Sequence, residues 1–114
     1  MTTRRPEKPP RHLTVRTRRW WAAVEATFDL EEHHRKLLTM AGEHWDRAAA
    51  AREAIAAHGL TFTDRYGAPR ERPEIRIARD STVLFARLVR ELRLDGVGQP
   101  GEDERPPRIP ERSA

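Results

Sequence analysis

The sequence predicts an all-α fold of three main helices, one of them long, with a short extended or hairpin connection between helices two and three. Two observations support this class. Three stretches repeat apolar residues at helical spacing, and residues that favour helix ends or turns stand between them. Proline and charged residues dominate both ends of the chain. We therefore expect a disordered basic arm over residues 1–13, a helical domain over residues 14–95 and a disordered tail over residues 96–114.

The first helix is expected from about Arg16 to Phe28. Trp20, Val24 and Phe28 recur at intervals of four residues, so they form one apolar stripe. Trp21 lies beside this stripe, and we interpret the two adjacent tryptophans as anchors of a small core.

The second helix is expected to begin at Asp29, whose carboxylate can cap the free amides of the first turn, with Glu32 completing a capping box. Gly59 marks its end, because glycine accepts a positive φ without a steric cost. The 29 residues before Gly59, counted from residue 30, would span about 43 Å as a helix. A compact domain of this size does not need that length. Either Gly42 breaks the helix, or the helix packs against a neighbouring subunit.

Its excess length makes the second helix the predicted oligomerisation element. The small residues at positions 48–51 would let another helix approach closely. The candidate contact residues lie on its apolar face: Leu37, Leu38, Ala41, Trp45, Ala48, Ala49 and Ile55.

The connection over residues 60–72 combines extended and turn signals. Residues 60–63 alternate apolar side chains with threonine and favour a β-strand, and residues 64–67 are of types that favour a turn. Pro69 and Pro73 prevent a helix from running through the segment. Pro73 is expected to open the third helix, since its missing N–H is not needed in a first turn.

The third helix has two contrasting sides. On a helical wheel its apolar residues share one side: Ile77, Ala78, Leu84, Phe85, Leu88, Val89 and Leu92. Its arginines cluster on another side, within about 120°: Arg76, Arg79, Arg87, Arg90 and Arg93. Guanidinium groups remain charged and can grip two phosphate oxygens, so this arginine stripe is a candidate phosphate-binding surface. A solvated charged face is the alternative.

The formal charge of +4 is unevenly distributed. Residues 1–19 carry seven basic side chains and one glutamate, hence +6, whereas the rest of the chain sums to −2. Basic arms of this kind contact polyanions such as nucleic acid, or serve solubility alone. The candidate DNA contacts in this region are Arg4, Arg5, Arg11, Arg16, Arg18 and Arg19.

Several function classes find no support. The chain has no cysteine, no P-loop motif and no nucleophile–base–acid pattern, so we expect no enzyme activity and no cofactor. We also expect no metal site, because the adjacent His33 and His34 should splay about 100° apart on a helix. No apolar run approaches a membrane span. The expected location is the cytoplasm.

The chain resembles the small terminase subunits of tailed bacteriophages over residues 12–95. The resemblance rests on the order and spacing of short segments: residues 13–21, the Leu-Glu-Glu at 30–32, Gly59-Leu60, the Asp-Arg-Tyr-Gly at 64–67, a proline-led helix with Arg79-Asp80, and residues 85–88 running into 91–94. Two positions differ from the family pattern. Arg72 replaces an expected histidine, and Arg93 stands where the helix exit often has glycine.

The resemblance implies a DNA-binding, ring-forming packaging protein without enzymatic activity. Its partners would be double-stranded phage DNA, other copies of itself and the large terminase subunit, which holds the ATPase and nuclease. Two other functions fit the composition. One is a small helical DNA-binding transcriptional regulator acting as a dimer. The other is an assembly protein whose arginines form ion pairs between subunits.

Overall fold

The computed structural model describes residues 6–94. The fold has three helices, α1 (Val15–Thr27), α2 (Glu32–His58) and α3 (Pro73–Glu91), and a small exposed hairpin of β1 (Thr61–Thr63) and β2 (Pro69–Glu71) between α2 and α3. This confirms the predicted mainly helical class. The connection between α2 and α3 is a hairpin, not a single extended segment, and β1 pairs antiparallel with β2. Arg4, Arg5 and the predicted tail lie outside the described residues.

Residues 6–13 belong to the folded part, although the sequence predicts disorder there. Leu13 is buried in the core. The Glu7 backbone amide donates to the Glu25 carboxylate at 3.4 Å, and His12 contacts Glu43 at 2.8 Å. The composition of this segment suggested a solvated arm, but one buried leucine and two polar contacts hold it against α1 and α2.

The start of α1 is tied to the middle of α2 by Asp46. Its carboxylate accepts hydrogen bonds from the backbone amide of Thr14 at 2.8 Å and from the hydroxyls of Thr14 at 2.8 Å and Thr17 at 2.6 Å. Thr14 is also the N-cap of α1. Burial alone would raise the pKa of Asp46, but the hydrogen bonds from Thr17 and Thr14 outweigh it and lower the pKa. The carboxylate therefore stays ionised at neutral pH.

Gly42 does not break α2, which is one continuous helix. It lets α1 approach instead: a Cβ at Gly42 would lie 2.9 Å from Thr17 Cγ2 and 3.2 Å from Leu13 Cδ1. The start of α2 also differs from the expectation. Its N-cap is Glu31 rather than Asp29, because the chain first runs extended at Phe28 to bury Leu30 in the core.

The core forms where the helices meet near one end of α2. Its buried apolar side chains are Leu13, Trp21, Val24, Leu30, Leu38 and Leu92. Trp21 Nε1 donates to Thr39 Oγ1 at 3.2 Å, so the indole N–H remains satisfied inside the protein. Beside it, Arg35 of α2 grips the buried Glu25 of α1 with two hydrogen bonds of 3.0 and 2.9 Å.

Helix α3 packs mainly along α2, and this packing leaves part of its apolar side uncovered. Ser81 is the one buried residue of α3. Ile77 is 39% exposed and Leu84 36%, although the wheel places both on the core side. The predicted apolar stripe is thus wider than the strip that α2 covers.

Candidate nucleic-acid interface

The outer face of α3 carries four exposed arginines. Arg76, Arg79, Arg87 and Arg90 are all exposed, and at 100° per residue they fall within about 80° on the side opposite the buried Ser81. The predicted stripe is therefore a real surface for these four residues. Their positions span most of α3, so the positive charge is distributed along the helix.

Three of these arginines have no acidic partner in the described part of the chain. The closest acid contact of the stripe joins Arg79 Nε to Asp80 Oδ1 at 3.8 Å, and both side chains are exposed. Among residues 6–94, Arg76, Arg87 and Arg90 form no ion pair. Their charge is consequently available to an external anion.

Arg93 does not belong to this face. Helix α3 ends at Glu91, and Arg93 follows with a left-handed backbone at φ 59° and a half-buried side chain. The wheel fails here because it extends helical geometry past the last turn. The Leu94 amide instead donates to the Val89 carbonyl at 3.0 Å and closes the helix end.

The basic residues before and within α1 form a separate group. Arg11, Arg16 and Arg19 are exposed and Arg18 is half-buried. Arg16 lies near α3, since it lines an apolar groove of about 200 Å³ with Trp20, Trp45 and Phe85. In that groove the ring of Phe85 lies 5.0 Å from Trp45 and 5.8 Å from Trp20.

The β hairpin brings further arginines next to α3 that are not among the predicted DNA contacts. Arg70, Arg72 and Arg76 line a groove of about 680 Å³ between the hairpin and the first turns of α3. The apolar Phe62 and Ile77 and the acidic Asp64, Glu71 and Asp80 also line it. The turn chemistry at residues 64–67 was the signal that could have drawn attention to this segment, because such a turn projects its side chains.

Asp64 organises the tip of the hairpin. Its carboxylate accepts from the backbone amides of Tyr66 and Ala68, both at 2.9 Å, and from Arg70 Nε at 3.0 Å. The hydrogen bond from Arg70, together with those amides, lowers the pKa of Asp64. Gly67 takes φ 80°, which a residue with a Cβ rarely adopts.

The predicted oligomerisation residues divide into two groups. Leu38, Ala41 and Ala48 are buried within the chain itself and cannot form a subunit surface in this fold. Leu37, Ala49 and Ile55 are half-buried, and Trp45 is 45% exposed. The wheel could not separate a face that meets α1 and α3 from a face that meets another subunit, since both are apolar.

Large apolar side chains nevertheless remain exposed within residues 6–94. They are Val15, Met40, Trp45, Leu60, Phe62, Tyr66, Ile77, Val83 and Leu84. Several lie on the hairpin and on α3 next to the uncovered side of that helix. The described domain therefore leaves many large apolar side chains open to solvent.

His33 and His34 do not splay apart as expected. Their ring centroids are 4.1 Å apart, and the donor atoms of Glu31, His33 and His34 lie within 4.8 Å of one another. His34 Nδ1, however, accepts the Glu31 backbone N–H at 3.0 Å, which places the ring proton on Nε2 when the imidazole is neutral. A metal ion on His34 Nδ1 would displace the amide, and one on Nε2 would move the ring proton to Nδ1, which could then no longer accept the amide. Either would break this helix cap, so we interpret the cluster as capping.

No helix within residues 6–94 has the length and apolar character to cross a membrane. Comparisons with protein-family models, with curated proteins and with solved structures gave no match for this chain.

Proposed function

We propose that this protein is a DNA-binding, ring-forming small terminase subunit that recognises phage DNA and recruits or regulates the large ATPase and nuclease subunit during genome packaging. The observation that carries the proposal is the outer face of α3, where Arg76, Arg87 and Arg90 are exposed and have no acidic partner within residues 6–94. A row of permanently charged guanidinium groups on a rigid helix suits the phosphate backbone of duplex DNA. Its working location would be the cytoplasm of an infected or lysogenic bacterial host.

Binding through this face would be mainly electrostatic. Phosphate contacts position a protein on DNA but do not read sequence. We therefore expect affinity to fall steeply as the salt concentration rises. Each phosphate neutralised should contribute about −0.9 to the slope of log K against log salt concentration. Recognition of a particular packaging site would need further contacts.

The backbone at the end of α3 gives independent support to the resemblance. Arg93 occupies φ 59°, a left-handed conformation in which a side chain other than glycine costs about 1–2 kcal/mol. This is the position at which the terminase pattern has glycine. The local geometry therefore fits the family pattern even where the residue does not.

Ring formation is supported by the uncovered apolar surface. Trp45, Phe62, Ile77 and Leu84 are 36–45% exposed, and a small domain with such a surface gains stability by burying it against copies of itself. A closed ring requires two different patches that fit each other around the rotation axis.

Native mass, measured by light scattering during gel filtration with and without duplex DNA, tests both parts of the proposal. We expect a closed assembly of many copies that shifts on adding DNA. A dimer that shifts with DNA would instead favour the transcriptional regulator. An assembly that ignores DNA would favour the structural protein.

Charge reversal tests the DNA surface directly. Arg79→Glu, Arg87→Glu and Arg90→Glu together should abolish DNA retention and leave the assembly mass unchanged. Lys36→Glu with Arg47→Glu is the control, because both residues are exposed on α2. If the triple variant still binds DNA as the control does, the stripe is a solvated face and the basic residues before α1 become the better candidate.

A further inference from the structure

The tip of the β hairpin presents two side chains that the fold itself does not use. Tyr66 is 79% exposed, and the Arg65 guanidinium carbon lies 5.0 Å from the centre of its ring. Arg65 forms no ion pair among residues 6–94. Each side chain therefore contacts mainly the other and solvent.

This tip is preformed. Three hydrogen bonds to the Asp64 carboxylate fix the turn, and the Gly67 amide donates to the Asp64 carbonyl at 3.0 Å. The ion pair with Arg70 balances the negative charge of Asp64, so the charge of Arg65 remains uncompensated. A rigid loop that holds a free cation has a low entropic cost of binding an anion.

The hairpin is also rigidly joined to α3. A single residue, Arg72, separates β2 from α3, and its amide donates to the Leu60 carbonyl at 2.9 Å. The same residue is the N-cap of α3, and Pro73 restricts the following φ angle. The tip therefore holds a fixed position relative to the arginine stripe.

The reach of the hairpin is comparable to the width of a DNA groove. Strand β2 advances about 7 Å from Glu71 to Pro69 at 3.3 Å per residue, and the turn and the Arg65 side chain extend beyond it. The major groove is about 12 Å wide. While the α3 arginines contact one phosphate backbone, a projection of this length can reach the backbone across the groove.

We propose that Arg65 and Tyr66 form a second phosphate contact on the same duplex, with Arg65 pairing with a phosphate and Tyr66 holding the guanidinium in place. This inference rests on the proposed DNA-binding function. Charge favours DNA, because the free side chain of the tip is cationic and the outer face of α3 carries the exposed Arg76, Arg79, Arg87 and Arg90. A phosphate backbone complements both surfaces together.

The test measures the affinity of the full-length protein for a fluorescently labelled duplex at salt concentrations between 50 and 200 mM. Arg65→Ala should make the slope of log K against log salt concentration less steep, by about 0.9 for each subunit that touches the duplex. For one such contact, the loss of affinity across this range becomes about 3.5-fold smaller than in the unmodified protein. Tyr66→Ala should also weaken DNA binding, since it removes the ring that holds the Arg65 guanidinium in place.

Arg47→Ala is the matched control, because it removes an equally charged, exposed arginine from α2. If Arg65→Ala and Arg47→Ala give the same slope as the unmodified protein, DNA binding stands and the hairpin contact is overturned. Loss of assembly mass without a change in DNA affinity would also overturn it and make the tip a protein contact. If the unmodified protein does not bind duplex DNA, the proposed function itself fails.

Discussion

Glu25 is the one charged residue that the structure buries among residues 6–94, and its environment shows how a single ionised group constrains the domain. Its side chain is 1% exposed, and Arg35 holds it with a two-pronged contact at 12% exposure. The hydrogen bond to Glu25 raises the pKa of Arg35 against the opposing effect of burial. Arg35 therefore stays charged at all ordinary pH values.

Removal of one partner should be far more costly than removal of both. Arg35→Met leaves the Glu25 carboxylate buried without its counter-ion, and we expect a loss of about 3–5 kcal/mol in the free energy of unfolding. Glu25→Leu combined with Arg35→Met replaces the pair by apolar groups and should cost much less. Urea unfolding of the two variants checks this. Equal losses would show that the pair contributes through packing alone.

At the scale of secondary-structure elements, local signals in the sequence predicted where the helices lie along the chain but not which elements pack against each other. Pro73 and Gly59 mark the start of α3 and the end of α2, because both act through backbone conformation. A break at Gly42 was one of two expectations, because glycine weakens a helix locally. In the structure Gly42 instead allows Thr17 of α1 to pack closely against α2. The exposed arginines of α3 were predictable from helical periodicity. The hairpin arginines were not, since their placement beside α3 depends on strand pairing across the turn.

The beginning of α2 should be sensitive to pH through His34. Burial and the neighbouring His33 lower its pKa, with Glu31 opposing them, and the neutral ring accepts the Glu31 amide. The cap is complete above the ordinary histidine pKa of about 6.5. It is lost as the pH falls through the lower pKa of the folded state, because the imidazolium ion has no acceptor.

We therefore expect the urea concentration at the unfolding midpoint to decrease when the pH is lowered from 7.5 to 5.5. The decrease should be smaller in His34→Gln. Glutamine at this position keeps an acceptor for the amide and does not titrate. An identical decrease in both proteins would assign the pH dependence to other histidines.

At the scale of the whole molecule, α2 packs inside its own chain and is also the proposed assembly element, two purposes that its sequence could not separate. Leu38, Ala41 and Ala48 face inward and hold α1 and α3, so the length of α2 is largely used inside one chain. What remains for assembly is the half-exposed aromatic groove around Trp45, where α1, α2 and α3 meet. In the proposed ring, a concave apolar site of this kind would supply one of the two unlike patches that the subunits need.

Trp45→Lys should accordingly reduce the assembly mass, because a charged side chain in the groove opposes burial by a second subunit. Met40→Lys is the matched control: Met40 is 46% exposed and Trp45 45%, and both lie on α2, but five residues apart they project about 140° from each other. Light scattering at equal concentrations measures the mass, and circular dichroism confirms that both variants fold. If Met40→Lys dissociates the assembly and Trp45→Lys does not, the subunit contact lies on the opposite flank of α2. If neither variant changes the mass, assembly uses the exposed apolar residues of the hairpin and α3, and the groove is left for a different partner.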